Sequence, residues 1–192
     1  PNVKGKKILV FGHRGGIGSS VVSKLKDFGA NVVTFEGDIR SLSPHLYRDK
    51  YDSIINCAGI IRKDFDDYLD VIDVNFSANV DIVMLGIKTL NKGGSIVLIG
   101  SSSAMQGRGD FPIYSATKAA VNNFTQAMGE YLAAYDIKIN CVNPSRTNTK
   151  MTDFLGVSGE GGLDKEDVAD IIIGYCTPEC TGQIVNIRKW VN

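Results

Sequence analysis

The sequence predicts an α/β domain in which a doubly wound parallel sheet is flanked by helices. Three observations predict it. Short apolar runs alternate with stretches of helical spacing along the 192 residues. The runs are near-continuous, as in strands buried on both faces. Several end in Gly, Ser or Asn, small groups that leave room for a ligand at strand carboxyl ends.

Lys7 to Phe11 (KILVF) is the first strand, bounded by Gly12. GHRGGIG follows, then a helix from about Ser19. Strand, glycine-rich turn and helix form the setting of a dinucleotide fingerprint. Glycines let the backbone approach a pyrophosphate, and the helix start offers free N–H groups. The spacing is G-x-x-x-G-x-G rather than G-x-G-x-x-G, so a plain glycine turn remains the alternative. Ala30 to Phe35 is a second strand ending in Glu36-Gly37-Asp38. Either acid is placed to accept from adenosine ribose hydroxyls, or forms a solvated turn. Residues 39–50, with Pro44, read as a short helix or loop. Tyr51 to Asn56 is a third strand running into Cys57-Ala58-Gly59.

Asp64 to Leu90 has helical spacing, a short helix then a long one with Asn75 early in it. Ser95 to Gly100 is the next strand, and Pro112 to Tyr135 a long helix. Ile137 to Val142 is a strand stopped by Asn143-Pro144. Residues 145–163 are polar and glycine-rich, either a lid or an irregular loop. A helix follows from Asp164 to about Cys176, and Gln183 to Ile187 is the last strand. No repeat or linker divides the chain, so residues 1–192 are expected as one compact domain.

Composition narrows the function classes. Lys+Arg and Asp+Glu are equal at 21 each, so the net charge is zero. Neither nucleic acid nor an anionic membrane is an expected partner. No apolar stretch approaches the ~20 residues of a membrane span, and no signal-peptide core follows PNVKGKK. Cys57, Cys141, Cys176 and Cys180 sit mostly in apolar runs. They are expected to be reduced core residues of a cytoplasmic protein. No metal site is expected, because Cys176-x3-Cys180 has no second pair and no nearby His.

The chemistry centres on Ser101 to Lys118, where a strand ends in hydroxyls and a helix begins. Tyr114 and Lys118 would lie one turn apart on one helix face. A phenol, ordinarily near pKa 10, needs about 4 kcal/mol to move by three units. One positive charge about 4 Å away at an effective dielectric near 20 supplies that order of energy.

Together these residues resemble the short-chain dehydrogenase/reductase family, whose fold is Rossmann-type. The matching features are Gly12-x-x-x-Gly16-Ile17-Gly18, Asn56-Cys57-Ala58-Gly59, Asn75, Ser101, Tyr114-x-x-x-Lys118, Asn143-Pro144 and Thr181-Gly182-Gln183. The match covers nearly the whole chain in the right order. The resemblance implies an NAD(P)-dependent oxidoreductase acting on a small carbonyl/alcohol substrate. Tyr114 would be its general acid/base, and Lys118 would lower the phenol pKa and hold the nicotinamide ribose. Ser101 would bond the reacting oxygen, and Asn75 would position a water in a proton relay. The cofactor would lie along Gly12, Arg14, Gly15, Gly16, Ile17, Gly18, Glu36, Asp38, Asn56, Ala58 and Gly59. It would continue past Tyr114 and Lys118 to Pro144, Thr147 and Thr149.

Glu36 tips the choice towards NAD, while Arg14 and Arg40 could instead pair with an NADP 2′-phosphate. The resemblance also implies a homodimer or homotetramer through the helices near 74–91 and 112–134. The chain departs from the family at Phe11, at Ser145, in the short 35–51 segment and at its end. A non-catalytic dinucleotide sensor on the same fold is the alternative, since fold alone does not give function.

Overall fold

The computed structural model describes residues 2–63, 65, 67–151 and 161–188. Six strands form one sheet: β1 (Lys7–Phe11), β2 (Asn31–Thr34), β3 (Tyr51–Asn56), β4 (Leu90–Ile99), β5 (Lys138–Pro144) and β6 (Ile184–Ile187). Their order is β2-β1-β3-β4-β5-β6, and every neighbouring pair is parallel. The helices are α1 (Gly16–Asp27), α2 (Tyr68–Ile72), α3 (Ala78–Thr89), α4 (Pro112–Tyr131) and α5 (Lys165–Gly174). The predicted doubly wound α/β class is the one observed.

Strand alternation divides the core. Ile8, Val10, Ile55, Val97 and Val142 face a layer with Val21, Leu25, Val168 and Ile172 of α1 and α5. Leu9, Phe11, Ile54, Ile96, Leu98 and Ile139 face the opposite layer with Ile82, Leu85 and Val121 of α3 and α4. Both sheet faces are covered, which is why the strands read as unbroken apolar runs. Each fully buried Leu or Ile contributes roughly 1.5–3 kcal/mol. Side chains join the α1 and α5 pair: Lys24 Nζ reaches Asp170 at 2.7 Å, and Ser20 Oγ donates to Glu166 at 2.8 Å.

The order places β1 between β2 and β3, so successive connections leave β1 in opposite directions. A crevice opens at the carboxyl ends of β1 and β3. Gly12 ends β1 with φ +69°, and a Cβ there would overlap the backbone of Cys57 and Ala58 after β3. Only glycine suits both that conformation and that approach.

Several boundaries differ from expectation. β4 begins at Leu90, which pairs with Tyr51, and it takes in Gly93 at φ +76° before the register with β3 resumes at Ser95. β5 does not stop before Asn143-Pro144: both residues pair with β6, opposite Asn186 and Ile187. Pro144 is tolerated there because the bond to β6 at this level comes from the Ser145 N–H, which reaches the Ile187 carbonyl at 2.9 Å. The long helix turns 3-10 over Leu132–Tyr135, where Asp136 at φ 53° closes it. Residues 39–50 hold one 3-10 stretch, Pro44–Arg48. The short helix expected from Asp64 runs over Tyr68–Ile72; Asp64 itself lies outside the described residues, as does 152–160 of the candidate lid. Cys141 and Cys176 are buried and Cys57 is partly buried. Cys180 is exposed, against the expectation of a core residue, because it lies in the turn before β6.

Candidate active site

β4 and α4 build the reactive end. Ser101 follows β4 and caps a 3-10 turn, where its Oγ accepts from the Ser103 N–H at 3.1 Å. Pro112 opens α4, and Tyr114 and Lys118 follow on its buried face. Tyr114 is 8% exposed, packed edge-on against Phe111 at 5.7 Å between centroids. Burial pushes its phenol up, and a hydrogen bond with the Ser101 side chain works the other way. Lys118 is buried, with Nζ 5.6 Å from the centre of the Tyr114 ring and donating to the Ile99 carbonyl at 2.7 Å. Burial pulls Lys118 down to about 8. The ammonium thus lies over the ring as the spacing predicted. Its hydrogen bond, however, goes to the end of β4, and the net shift of the phenol is upward.

Asn75 does not sit early in the long helix. It occupies a π-helical turn, Asp73–Ser77, between α2 and α3, and is fully buried. Its amide clasps the Ile60 backbone, accepting from the N–H at 2.9 Å and donating to the carbonyl at 2.8 Å. The side chain expected to hold a water is committed to this clasp. Asn56 Nδ2 donates to Asn79 Oδ1 at 2.8 Å, and Asn79 Nδ2 donates to the Asn75 carbonyl at 2.7 Å. Asn56 Oδ1 accepts from Ala58 N–H at 2.9 Å. Gly59 lies against both site residues: a Cβ there would stand 3.3 Å from Asn75 Oδ1 and 3.5 Å from Lys118 Nζ.

The opposite end of the crevice is the glycine turn. Gly15 is the N-cap of α1 and gives no side-chain cap, so among the described residues no side chain caps the first helical N–H groups. A Cβ on Gly18 would overlap the Gly12 carbonyl, and one on Gly16 would overlap Thr149. The loop after β5 therefore returns over the turn. Thr147 in that loop is buried, and its Oγ1 donates to the Ser145 carbonyl at 3.0 Å. Glycines set edge to edge beneath uncapped amides fit a dinucleotide pyrophosphate, which needs close backbone approach.

A cleft of about 250 Å³ opens beside this turn, lined by Gly12, His13, Arg14, Glu36, Gly37 and Ala58 among others. Glu36 projects at its edge, where its carboxylate meets Arg14 and also His13 Nε2 at 2.9 Å. His13 Nδ1 is buried with no hydrogen-bond partner among the described residues. Asp38 is engaged by Arg40. Hydrogen bonds from Arg40 hold its carboxyl down at about 2, and Arg40 also reaches Asp70 at 2.7 Å. A second cleft of about 390 Å³ runs between Ser103–Gly109 and α4, and its lining includes none of Ser101, Tyr114 and Lys118.

The structure thus brings Ser101, Tyr114, Lys118, Asn75 and Gly59 together at one end. Gly12, Gly16, Gly18, Arg14 and Glu36 gather at the other. Sequence reasoning missed His13 and Asn79, and gave Asn143-Pro144 as a strand stop and a family motif without a role for the Asn143 side chain. A His inside the glycine turn was the available signal for the first. Nothing in the sequence marks the partners of the other two side chains, which include Asn56 on β3 for Asn79 and Asn186 on β6 for Asn143.

The model of the short chain dehydrogenase family matches residues 45–157. The bifunctional ribulose 5-phosphate reductase/CDP-ribitol pyrophosphorylase of Haemophilus influenzae is 31% identical over 97% of this chain and 44% of its own length. The 2,3-dihydro-2,3-dihydroxybenzoate dehydrogenase of Bacillus subtilis is 31% identical over 68% of the chain and 56% of its own. The chain spans about half the length of these two relatives. Among solved structures, a short-chain dehydrogenase/reductase from Brucella melitensis superposes with a TM-score of 0.87 at 19% identity, covering 97% of this chain and 96% of that one. At that identity the likeness speaks to the fold.

Proposed function

The chain belongs to the short-chain dehydrogenase family, and from that premise we propose that it is an NAD(P)-dependent oxidoreductase interconverting a carbonyl and an alcohol. The observation that carries this reading is the buried trio of Ser101, Tyr114 and Lys118 at the carboxyl end of β4. A sensor that only bound a dinucleotide would have no use for a buried phenol beside a buried ammonium.

The bound nicotinamide would supply or take the hydride. Tyr114 gives its proton to the oxygen of the substrate during reduction and takes it back during oxidation. Burial keeps the phenol protonated, which suits the reducing direction. Ser101, whose oxygen already accepts from Ser103 N–H, keeps its own O–H to donate to the phenol or to the substrate oxygen. Lys118, charged below about pH 8, favours the phenolate left behind after transfer. Gly12, Gly16 and Gly18 admit the pyrophosphate, and Glu36, Arg14 and His13 meet the adenosine end.

The Haemophilus relative matches almost all of this chain. A pentulose 5-phosphate is therefore the first substrate for assay. Purified protein would be mixed with ribulose 5-phosphate and either NADH or NADPH, and nicotinamide absorbance followed. Tyr114→Phe should lower kcat at least ~10²-fold, the low end for general acid–base catalysis. Near-normal turnover by that variant would remove the assigned proton role. Turnover of a different carbonyl in place of the pentulose would change the substrate alone.

A further inference from the structure

We propose that Asn143 is a positioning residue for Ser101: its buried amide holds the Ser101 backbone so that the hydroxyl meets the Tyr114 phenol. The inference rests on the reading of Ser101 and Tyr114 given above.

The register of β4 with β5 ends at Ile99 and Val142, and Gly100 N–H still bonds the Val142 carbonyl at 2.9 Å. Ser101 lies one residue beyond this ladder. Its N–H donates to Asn143 Oδ1 at 3.1 Å. The acceptor for Ser101 N–H is thus a side chain of β5. Asn143 is itself 0% exposed, and its Nδ2 donates to Asn186 Oδ1 on β6 at 3.2 Å. The amide is therefore oriented from both ends, the oxygen towards Ser101 and the nitrogen towards Asn186.

Space for this arrangement comes from Gly100, since a Cβ there would fall on Asn143 Oδ1. The backbone at Ser101 is extended, with φ −165° and ψ 154°. Asn143 fixes its nitrogen, and the Ser103 N–H fixes its oxygen at 3.1 Å. The Ser101 carbonyl accepts from Ala104 N–H at 3.0 Å, so the hydroxyl hydrogen remains to meet the phenol, which the Ser101 side chain bonds. A leucine at 143 keeps the branched shape of asparagine and has no acceptor. It would strand a buried N–H, which then moves towards another partner and takes the hydroxyl with it.

The test uses protein labelled with carbon-13 at tyrosine Cζ. The Tyr114 signal is assigned by its loss in Tyr114→Phe, and its position at fixed pH reads the hydrogen bonding of the phenol without any substrate. Asn143→Leu is expected to move that signal in the direction Ser101→Ala moves it, and the double variant to match Ser101→Ala alone. Turnover should fall about 10- to 100-fold in Asn143→Leu, as for a small misplacement of a reacting group, with cofactor KM within about twofold. A signal that stays at its wild-type position, with only thermal stability lowered, overturns the inference. So do turnover losses that multiply in the double variant. If Asn143→Leu fails to fold, Asn186→Ala at an exposed position takes its place. A smaller shift of the same sign is expected there, and an unmoved signal overturns the inference. If Ser101→Ala itself leaves the signal unmoved, the Ser101–Tyr114 pairing falls, and this inference with it. If Ser101→Ala moves the signal and Asn143→Leu does not, only the present inference falls.

Discussion

Lys118 Nζ stands 5.6 Å from the centre of the Tyr114 ring while its hydrogen bond, 2.7 Å long, goes to the carbonyl of Ile99 at the end of β4. Helical spacing brings the two side chains to one face of α4. The strand end then claims the ammonium. The same burial that pulls Lys118 down to about 8 pushes the phenol up, because both groups leave water for the apolar layer between α4 and the sheet.

That burial should appear as a pH dependence of stability. The folded Lys118 titrates at about 8, against an ordinary value of 10.5, so the folded state holds this proton less tightly than the unfolded chain. Between those values the unfolded chain binds more protons, and stability rises with pH. Relative to Lys118→Met, the wild type should gain about 3 kcal/mol from pH ~7 to pH ~10.5. Cys57 and Cys141, pushed up to about 12, are present in both proteins and largely cancel in the comparison. Urea unfolding of the pair at the two pH values measures it. A difference that stays constant with pH would show that the ammonium is solvated in solution.

Cofactor choice should turn on the Arg14–Glu36–His13 cluster. Glu36→Gln removes the negative charge that would repel a 2′-phosphate and releases Arg14 to meet one. NADP affinity should rise roughly tenfold to a hundredfold relative to NAD. Arg14→Ala should shift the ratio the other way. Calorimetric titration with both cofactors reads both variants, and a ratio unchanged in each would take the cluster out of cofactor selection.

Gly12→Ala should destabilise the fold as well as block the crevice. The substitution forces a side chain into φ +69° and into the backbone after β3. A loss of about 2–4 kcal/mol is expected from strain and overlap together. Denaturant unfolding should show it without any cofactor present. A loss below about 0.5 kcal/mol, the range of surface substitutions, would mean that the β1 and β3 ends move apart at little cost.

Self-association through α3 and α4 is expected, as a homodimer or homotetramer. Met84 on α3 and Tyr131 at the end of α4 are 48% and 56% exposed. A two-fold contact would use the same patch on each copy. Light scattering at high micromolar concentration should give at least twice the 20.8 kDa chain mass, and Met84→Lys should lower the association. A monomer at that concentration contradicts the expectation.

The alternation of strands and helices, the glycine turn after β1 and the Tyr114–Lys118 pair are legible along the chain. Each is a local pattern. Period and run length report burial on one or both faces, glycine reports a special conformation, and a four-residue interval reports one helix face. What those groups touch is set by the folded chain. Asn75 spends its amide on Ile60, fifteen residues away, and Glu36 meets Arg14, twenty-two residues away. Ser101 is held by Asn143, forty-two residues further on. No sequence interval encodes such contacts, because they form where separate strand ends come level in one sheet. Register, not composition, sets which polar atoms arrive together. The strand through Asn143-Pro144 makes the same point: proline reads as a stop along the chain, yet the pairing with β6 continues past it through the Ser145 N–H.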